Sequence, residues 1–195
     1  MAKSGTTPGT EAPTRVLFYG VTGTGKSTAA HRYAQITGLP EFSADDDIGW
    51  LPDWSVRELD DERAIAGSIA AQDHWVLDSV YGKWSDLVVP RAQLIVALDY
   101  PRWVSLTRLL RRTTRRILTK ERICNGNTES LRKQLFTADS IILWHFKSFT
   151  RKHRTIHRLH ADPAKPPVMI FRRPAELAAW FVALEAARQG TNSRP

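Results

Sequence analysis

Cysteine is almost missing from this chain: Cys124 is the only one in 195 residues. A lone cysteine excludes an internal disulfide and a cysteine-rich metal site, and it fits a reducing compartment. Long apolar runs are missing as well. No stretch approaches the roughly 18 consecutive apolar residues of a spanning helix. Residues 1–14 lack the apolar centre of a secretory leader. The expectation is a soluble cytoplasmic protein with no membrane partner. Acidic residues are scarce in one region only. Residues 101–160 hold 3 Asp and Glu against 15 Lys and Arg, whereas residues 1–100 hold 14 against 8. So concentrated a basic block answers a phosphorylated substrate, a nucleic acid, or simply solvent. The length and an apolar content of 42% suit one domain with a sizeable core.

What the sequence does hold is Gly20-Val21-Thr22-Gly23-Thr24-Gly25-Lys26-Ser27-Thr28, which fits G-x-x-x-x-G-K-[ST]. The apolar run Val16-Leu17-Phe18-Tyr19 before it reads as a buried strand, and residues 28–37 after it read as a helix. That strand–loop–helix setting is the context the motif requires. The glycines let backbone N–H groups turn inward, and the next helix adds its positive end, so the loop is an anion nest. Lys26 is placed to reach the β- and γ-phosphates of a nucleoside triphosphate, and the Ser27 hydroxyl to ligate Mg²⁺.

Along the rest of the chain, five apolar strands alternate with helices. Residues 1–14 read as a disordered tail, residues 15–188 as one domain and residues 189–195 as a second tail. Strands are expected at 15–19, 41–44, 75–77, 93–98 and 168–171. Helices are expected up to Thr37, with Gly38 just past its end, and at 55–72, 103–118, 129–149 and 175–188. Ser55 with Glu58 three residues on fits a capping box, and Pro174 suits a first helical position. Such alternation predicts a parallel sheet covered on both faces.

Two strands end in carboxylates. Asp45-Asp46-Asp47 follows the second strand, and Asp78 ends Trp75-Val76-Leu77, the minimal arrangement that supports Mg²⁺ through its waters. Adjacent carboxylates are costly to bury together, so the cluster belongs at a strand mouth. It is either an acidic turn or a holder of a substrate hydroxyl, a base or metal-bound water. Trp50 and Trp54 either cap the core edge or stack on a ring. Beyond Arg102, helical spacing gathers Arg108, Arg112, Arg115 and Arg116 on one surface, and Asn125-Gly126-Asn127 reads as a mobile segment. Residues 108–130 therefore resemble a lid whose arginines clasp phosphate; a solvated basic face and a nucleic-acid surface are the other readings. His153, His157 and His160 lie among cations, which does not read as a metal site.

The order of these elements resembles the adenylate kinase-like P-loop nucleoside and nucleotide kinases. More narrowly, it resembles their small bacterial branch, the DNA topology modulation protein-like proteins. The residues that carry the likeness are Gly20–Thr28, Gly38-Leu39-Pro40 leading to Asp45, Trp75–Ser79 with Tyr81, Leu98–Arg102, the arginine run, and Phe171-Arg172. The resemblance implies a three-layer P-loop NTPase fold with sheet order 2-3-1-4-5, ATP as phosphoryl donor, Mg²⁺, and a nucleotide or other small acceptor. It assigns Gly20, Gly23, Gly25, Lys26, Ser27 and Thr28 to the donor phosphates, with Thr22 and Thr24 between them and Arg172 on the nucleotide side. Asp78 joins Ser27 at the metal, Asp45 and Asp78 serve the acceptor side, and Arg108, Arg112 and Arg116 serve the lid. Ser79-Val80 stands where that branch has Gly-Asn. The acidic turn also carries one extra residue before Trp50. Both departures fall on the acceptor side. A nucleic-acid-associated ATP-binding protein and a nucleotide-gated regulator are the competing functions.

Overall fold

Val16, Leu17 and Phe18 are wholly buried, because β1 (Arg15–Gly20) runs down the middle of a parallel sheet with helices on both sides. In the computed structural model, which describes residues 12–120, 122–128 and 141–192, β1 pairs with β3 (Trp75–Leu77) and with β4 (Leu94–Leu98). β2 (Glu41–Phe42) lies outside β3, and β7 (Val168–Phe171) lies outside β4. The order β2-β3-β1-β4-β7 is the expected 2-3-1-4-5. A small antiparallel pair, β5 (Arg122–Ile123) and β6 (Asn127–Thr128), stands apart from the sheet.

The two-residue period of a strand sorts its side chains into two layers. Val16, Phe18, Val76, Val96 and Leu98 face α1 (Lys26–Thr37) and α6 (Pro174–Asn192), packing on Ala30, Tyr33 and Phe181. Leu17, Tyr19, Trp75, Leu77, Ile95 and Ala97 face the other way. They meet Ala66 and Ile69 of α2 (Leu59–Ala71), Val88 of α3 (Ser85–Val88) and Ile156 of α5 (Ile141–Ala161). Each fully buried aliphatic or aromatic side chain contributes about 1.5–3 kcal/mol, so the alternation itself selects the three-layer arrangement. α4 (Arg102–Thr119) packs on α5 beside the sheet.

Register aligns the carboxyl ends. Phe42 pairs with Leu77, Gly20 with Leu98, and Leu98 with Phe171. The residues that follow these strands, including the Gly20–Thr28 loop, the acidic turn and Asp78, therefore leave the sheet at one edge.

Several boundaries differ from those read in the sequence. β2 stops at Phe42 rather than Ala44, because the next amides bond to carboxylates. Ser43 N–H donates to Asp47 Oδ2 at 2.6 Å and Ala44 N–H to Asp78 Oδ1 at 2.8 Å. Residues Ala44–Gly49 then form one wide helical turn. α2 begins at Leu59, and Ser55 is not its N-cap. Its hydroxyl closes its own turn on Pro52 O at 2.9 Å, and Trp50 bridges Val56 in an extended pair. The expected helix over 129–149 begins outside the described residues up to 140. It runs on to Ala161, anchored by the fully buried Ile156. Gly38 ends α1 as expected: at φ +71° it donates its N–H to Ala34 O at 2.7 Å, a left-handed cap that suits glycine. Most of residues 1–14 lies outside the described residues, and α6 reaches Asn192, into the expected C-terminal tail.

Candidate active site

The Gly20–Thr28 loop is held from within and from behind. The Thr24 hydroxyl, almost fully buried, donates to Val21 O at 2.8 Å, and Ala29 N–H reaches Gly25 O at 2.9 Å to start α1. Behind the loop stands α4. Gly23 sits at φ +86°, and a β-carbon there would lie 2.3 Å from Ser105 O. Only glycine fits both the left-handed backbone and that approach. Arg108, one turn along α4, donates from Nη1 to Thr24 O at 3.2 Å while its guanidinium lies over the Tyr100 ring. Of the expected lid arginines, Arg108 thus touches the loop directly.

Lys26 Nζ donates to Val21 O at 3.2 Å, so the ammonium is folded over its own loop. Burial pushes its pKa down, Asp78 and then Asp45 push it back up, and Arg112 lowers it. These charges thus meet at one place. Asp78 is nearly buried and accepts from Ala44 N–H and from the Ser27 hydroxyl. Burial raises the Asp78 carboxyl above the ordinary carboxylate range, against the pull of those hydrogen bonds. Ser27 and Asp78, separated by fifty residues of sequence, thus lie side by side.

The three adjacent aspartates separate into different tasks. Asp47 caps its own turn through Ser43 N–H. Asp46 accepts from Asn125 N–H at 3.2 Å and so binds the β5–β6 turn. Asp45 faces the loop and accepts a hydrogen bond from the Tyr81 hydroxyl. Burial, with Asp45 beside it, drives the Tyr81 phenol well above its usual value, so Tyr81 stays a donor.

Residues 122–128 roof this side. Asn125 Nδ2 donates to Asp46 O at 2.7 Å and to Trp50 O at 2.6 Å. Asn127, buried to 4% exposure, accepts from Trp54 N–H at 2.7 Å and donates to Leu51 O at 2.9 Å. Within the described residues, then, the segment read as mobile is a turn tied down by side-chain amides. Trp50 and Trp54 pack edge to face at 5.4 Å on the same wall.

The loop, Asp45, Asp78, Tyr81, Arg112, Arg116 and Cys124 line one open cleft of about 2810 Å³. The oxygen pair Ser27 and Asp78 suits a hard ion such as Mg²⁺, whose preferred ligands are carboxylates and waters. Thr22 and Thr28 also line the cleft, but Arg172 does not; its N–H caps α6 through Glu176 Oε2 at 2.8 Å. Sequence reasoning missed the cations of α5. Lys152 donates to Val80 O at 3.4 Å, lies over the Tyr19 ring at 4.3 Å, and lines the cleft with Arg151. Burial, with Lys26 and Arg151 nearby, brings its pKa down to about 7. A helix expected to end at 149 leaves Arg151 and Lys152 outside it, whereas α5 carries both.

No family model matches this chain, and no curated protein does. Solved structures do. A shikimate kinase from Bacteroides thetaiotaomicron superposes with a TM-score of 0.54 at 14% identity, covering 91% of this chain and 99% of its own. A shikimate kinase from Acinetobacter baumannii in complex with shikimate gives 0.52 at 13% identity, covering 92% and 94%. A gluconokinase from Sinorhizobium meliloti 1021 gives 0.50 at 18% identity, covering 93% and 98%. At such identities the likeness is one of fold. With the same parallel strand order, this chain shares the three-layer fold of those kinases.

Proposed function

We propose that this chain is an ATP-dependent small-molecule kinase that moves the γ-phosphoryl group of ATP to an acceptor hydroxyl. One observation carries the reading: Lys26 of the phosphate loop and the Tyr81-held Asp45 face the same cleft close enough for Asp45 to act electrostatically on the lysine. A donor cradle and a carboxylate that can orient a hydroxyl are the two halves of a transfer site.

The roles follow from position. The loop amides and Lys26 bind the donor phosphates and neutralise charge as it grows on the leaving oxygen. Ser27 and Asp78 would hold Mg²⁺, which would supply further charge neutralisation to the phosphates when bound. Arg108 and Arg112 add cations from α4. Asp45 accepts the hydroxyl proton as the acceptor oxygen forms its bond to phosphorus and the bond to the ADP oxygen breaks. Tyr81 fixes the carboxylate for that task. The roof of residues 122–128 limits water at the acceptor wall, which suppresses loss of the phosphoryl group to hydrolysis.

The acceptor side supports a small hydroxyl compound bearing negative charge, since Arg112, Arg116, Arg151 and Lys152 line the same cleft. The structures named above as shikimate kinases and a gluconokinase support the same choice. A nucleoside monophosphate, as the adenylate kinase-like and DNA topology modulation protein-like likeness suggests, is the other acceptor class. The test measures ADP release over a panel of hydroxy acids, sugar acids and nucleoside monophosphates, with Lys26→Ala as control. Acceptor-dependent ADP release that vanishes in the control is the expected result. Release with no acceptor, or salt-sensitive nucleic-acid binding with no transfer at all, sinks the reading.

A further inference from the structure

Asp99, just past β4, is bound from two sides. His153 Nδ1 lies 2.8 Å from Asp99 Oδ1, and His157 Nε2 lies 2.9 Å from Asp99 Oδ2. The two histidines are four residues apart on α5, so one face of the helix presents both rings, with centroids 4.5 Å apart. Asp99 is 7% exposed and its backbone N–H is pinned to Phe171 O at 2.9 Å, so the carboxylate is fixed. The rings remain half exposed, which leaves an approach from water. His153 also stacks in parallel on Phe149, 6.4 Å away, which holds its orientation.

We propose that Asp99, His153 and His157 are a second metal site, taking a transition ion of borderline softness such as zinc, separate from the phosphate cleft. Two imidazoles and one carboxylate form the donor set of many zinc sites, with water completing the shell. The spacing fits. Ligands about 2.0–2.1 Å from a tetrahedral zinc stand roughly 3.4 Å from one another. The three candidate atoms here lie within 4.8 Å of one another, with the nitrogen-to-oxygen distances on the short side of that figure. Modest turning of the carboxylate and the rings therefore suffices. Lys152, Arg154 and Arg158 on α5 and Arg102 near Phe149 weaken attraction for a cation, and the Asp99 charge opposes them. An ion here would clamp α5 onto the end of β4. Val21 of the phosphate loop and Lys152 share a small cavity with Asp99 and His153, so the clamp reaches the back of the cleft. The α5 sequence alone shows only histidines among cations; the carboxylate comes from a distant strand.

The test titrates zinc chloride, and cobalt chloride as the spectroscopic probe, into the full chain carrying no polyhistidine tag. Saturating Mg²⁺ is present to occupy the phosphate site. One equivalent of zinc is expected to bind, to displace cobalt and to raise the melting temperature. His153→Gln and His157→Gln should each weaken binding roughly tenfold or more, the scale by which a metal site responds to its ligands and their supports. His31→Gln, distant on α1, should not. Wild-type imidazole resonances followed by NMR give a readout that needs no variant, and His153 and His157 should move ahead of the other histidines. The proposal is overturned if the wild type takes up no zinc, if zinc moves other histidines first, or if the folded variants bind it undiminished. It is equally overturned if the variants lose stability by the same amount with and without zinc, since the trio is then a hydrogen-bonded staple.

Discussion

Under the proposed function the cleft has a donor wall and an acceptor wall, and the two are built in different ways. The donor wall is one contiguous loop, Gly20–Thr28, whose geometry is local: a strand, a turn and the start of a helix, with α4 pressed behind it. The acceptor wall is assembled from the turn after β2, the segment after β3 and the β5–β6 turn, joined by side-chain amides and carboxylates. A contiguous wall is specified by a motif; an assembled wall is specified by pairings that no short stretch contains. Breaking the donor wall should therefore disturb ATP binding and transfer, whereas breaking the acceptor wall should cost turnover or acceptor recognition while ATP binding holds.

Removing the carboxylate from the acceptor wall tests this at its sharpest point. Asp45→Asn should lower kcat by about 10²–10⁴, the range for loss of a positioned acid–base group, while ATP binding stays near the wild-type value. Steady-state kinetics alongside ATP titration checks it. A large loss of ATP affinity with an unchanged kcat would move Asp45 to the donor wall. Lys26→Ala is the matching break on the other side. Loss of one preorganised charge-stabilising donor costs about 10²–10³ in kcat, and the variant should remain folded by circular dichroism. An active variant ends the proposed mechanism.

Asn127→Ala asks whether the roof belongs to acceptor recognition. Asn127 is buried and bonds to Trp54, Leu51 and Cys124. Losing those bonds costs about 1–3 kcal/mol, measured by urea denaturation. The acceptor KM should rise several-fold while the KM for ATP holds. Equal changes in both would mean that the walls are not independent.

Much of this was legible in the sequence, and the limits have physical causes. The loop, the five strands and the carboxylates at strand ends follow from local pattern, because strand alternation and a phosphate loop are short-range; the sheet order came only with the family resemblance, since pairing between strands is not local. The start of α2 was misplaced because Ser55 and Glu58 satisfy a capping rule, yet the Ser55 hydroxyl is used in the turn from Pro52. Asp45 could not be told from its neighbours, since Tyr81, Ser43 and Asn125 choose among the three aspartates and two of those partners are distant in sequence. Lys152 and Arg151 were missed for a simpler reason: a helix boundary drawn twelve residues short left them beyond the expected helix.

The smallest effect concerns what supports the donor wall. Ser105, whose carbonyl faces Gly23, has its hydroxyl 2.9 Å from His145 Nε2, and His145 is fully buried on α5. Burial, and then Arg102, push the His145 pKa below its ordinary value of 6.5. In that range the unfolded chain binds a proton that the folded chain refuses, so stability falls as pH drops through 6.5. It levels off only once pH passes below the depressed folded pKa. His145→Gln keeps a hydrogen-bonding group toward Ser105 and removes the titration. Between about pH 7 and pH 5, the interval in which histidine changes charge, urea midpoints of the variant should decline less steeply than those of the wild type. Parallel declines would mean that His145 takes up its proton in place. The support behind the phosphate loop would then tolerate a charge on His145, and the donor wall would not depend on a neutral imidazole there.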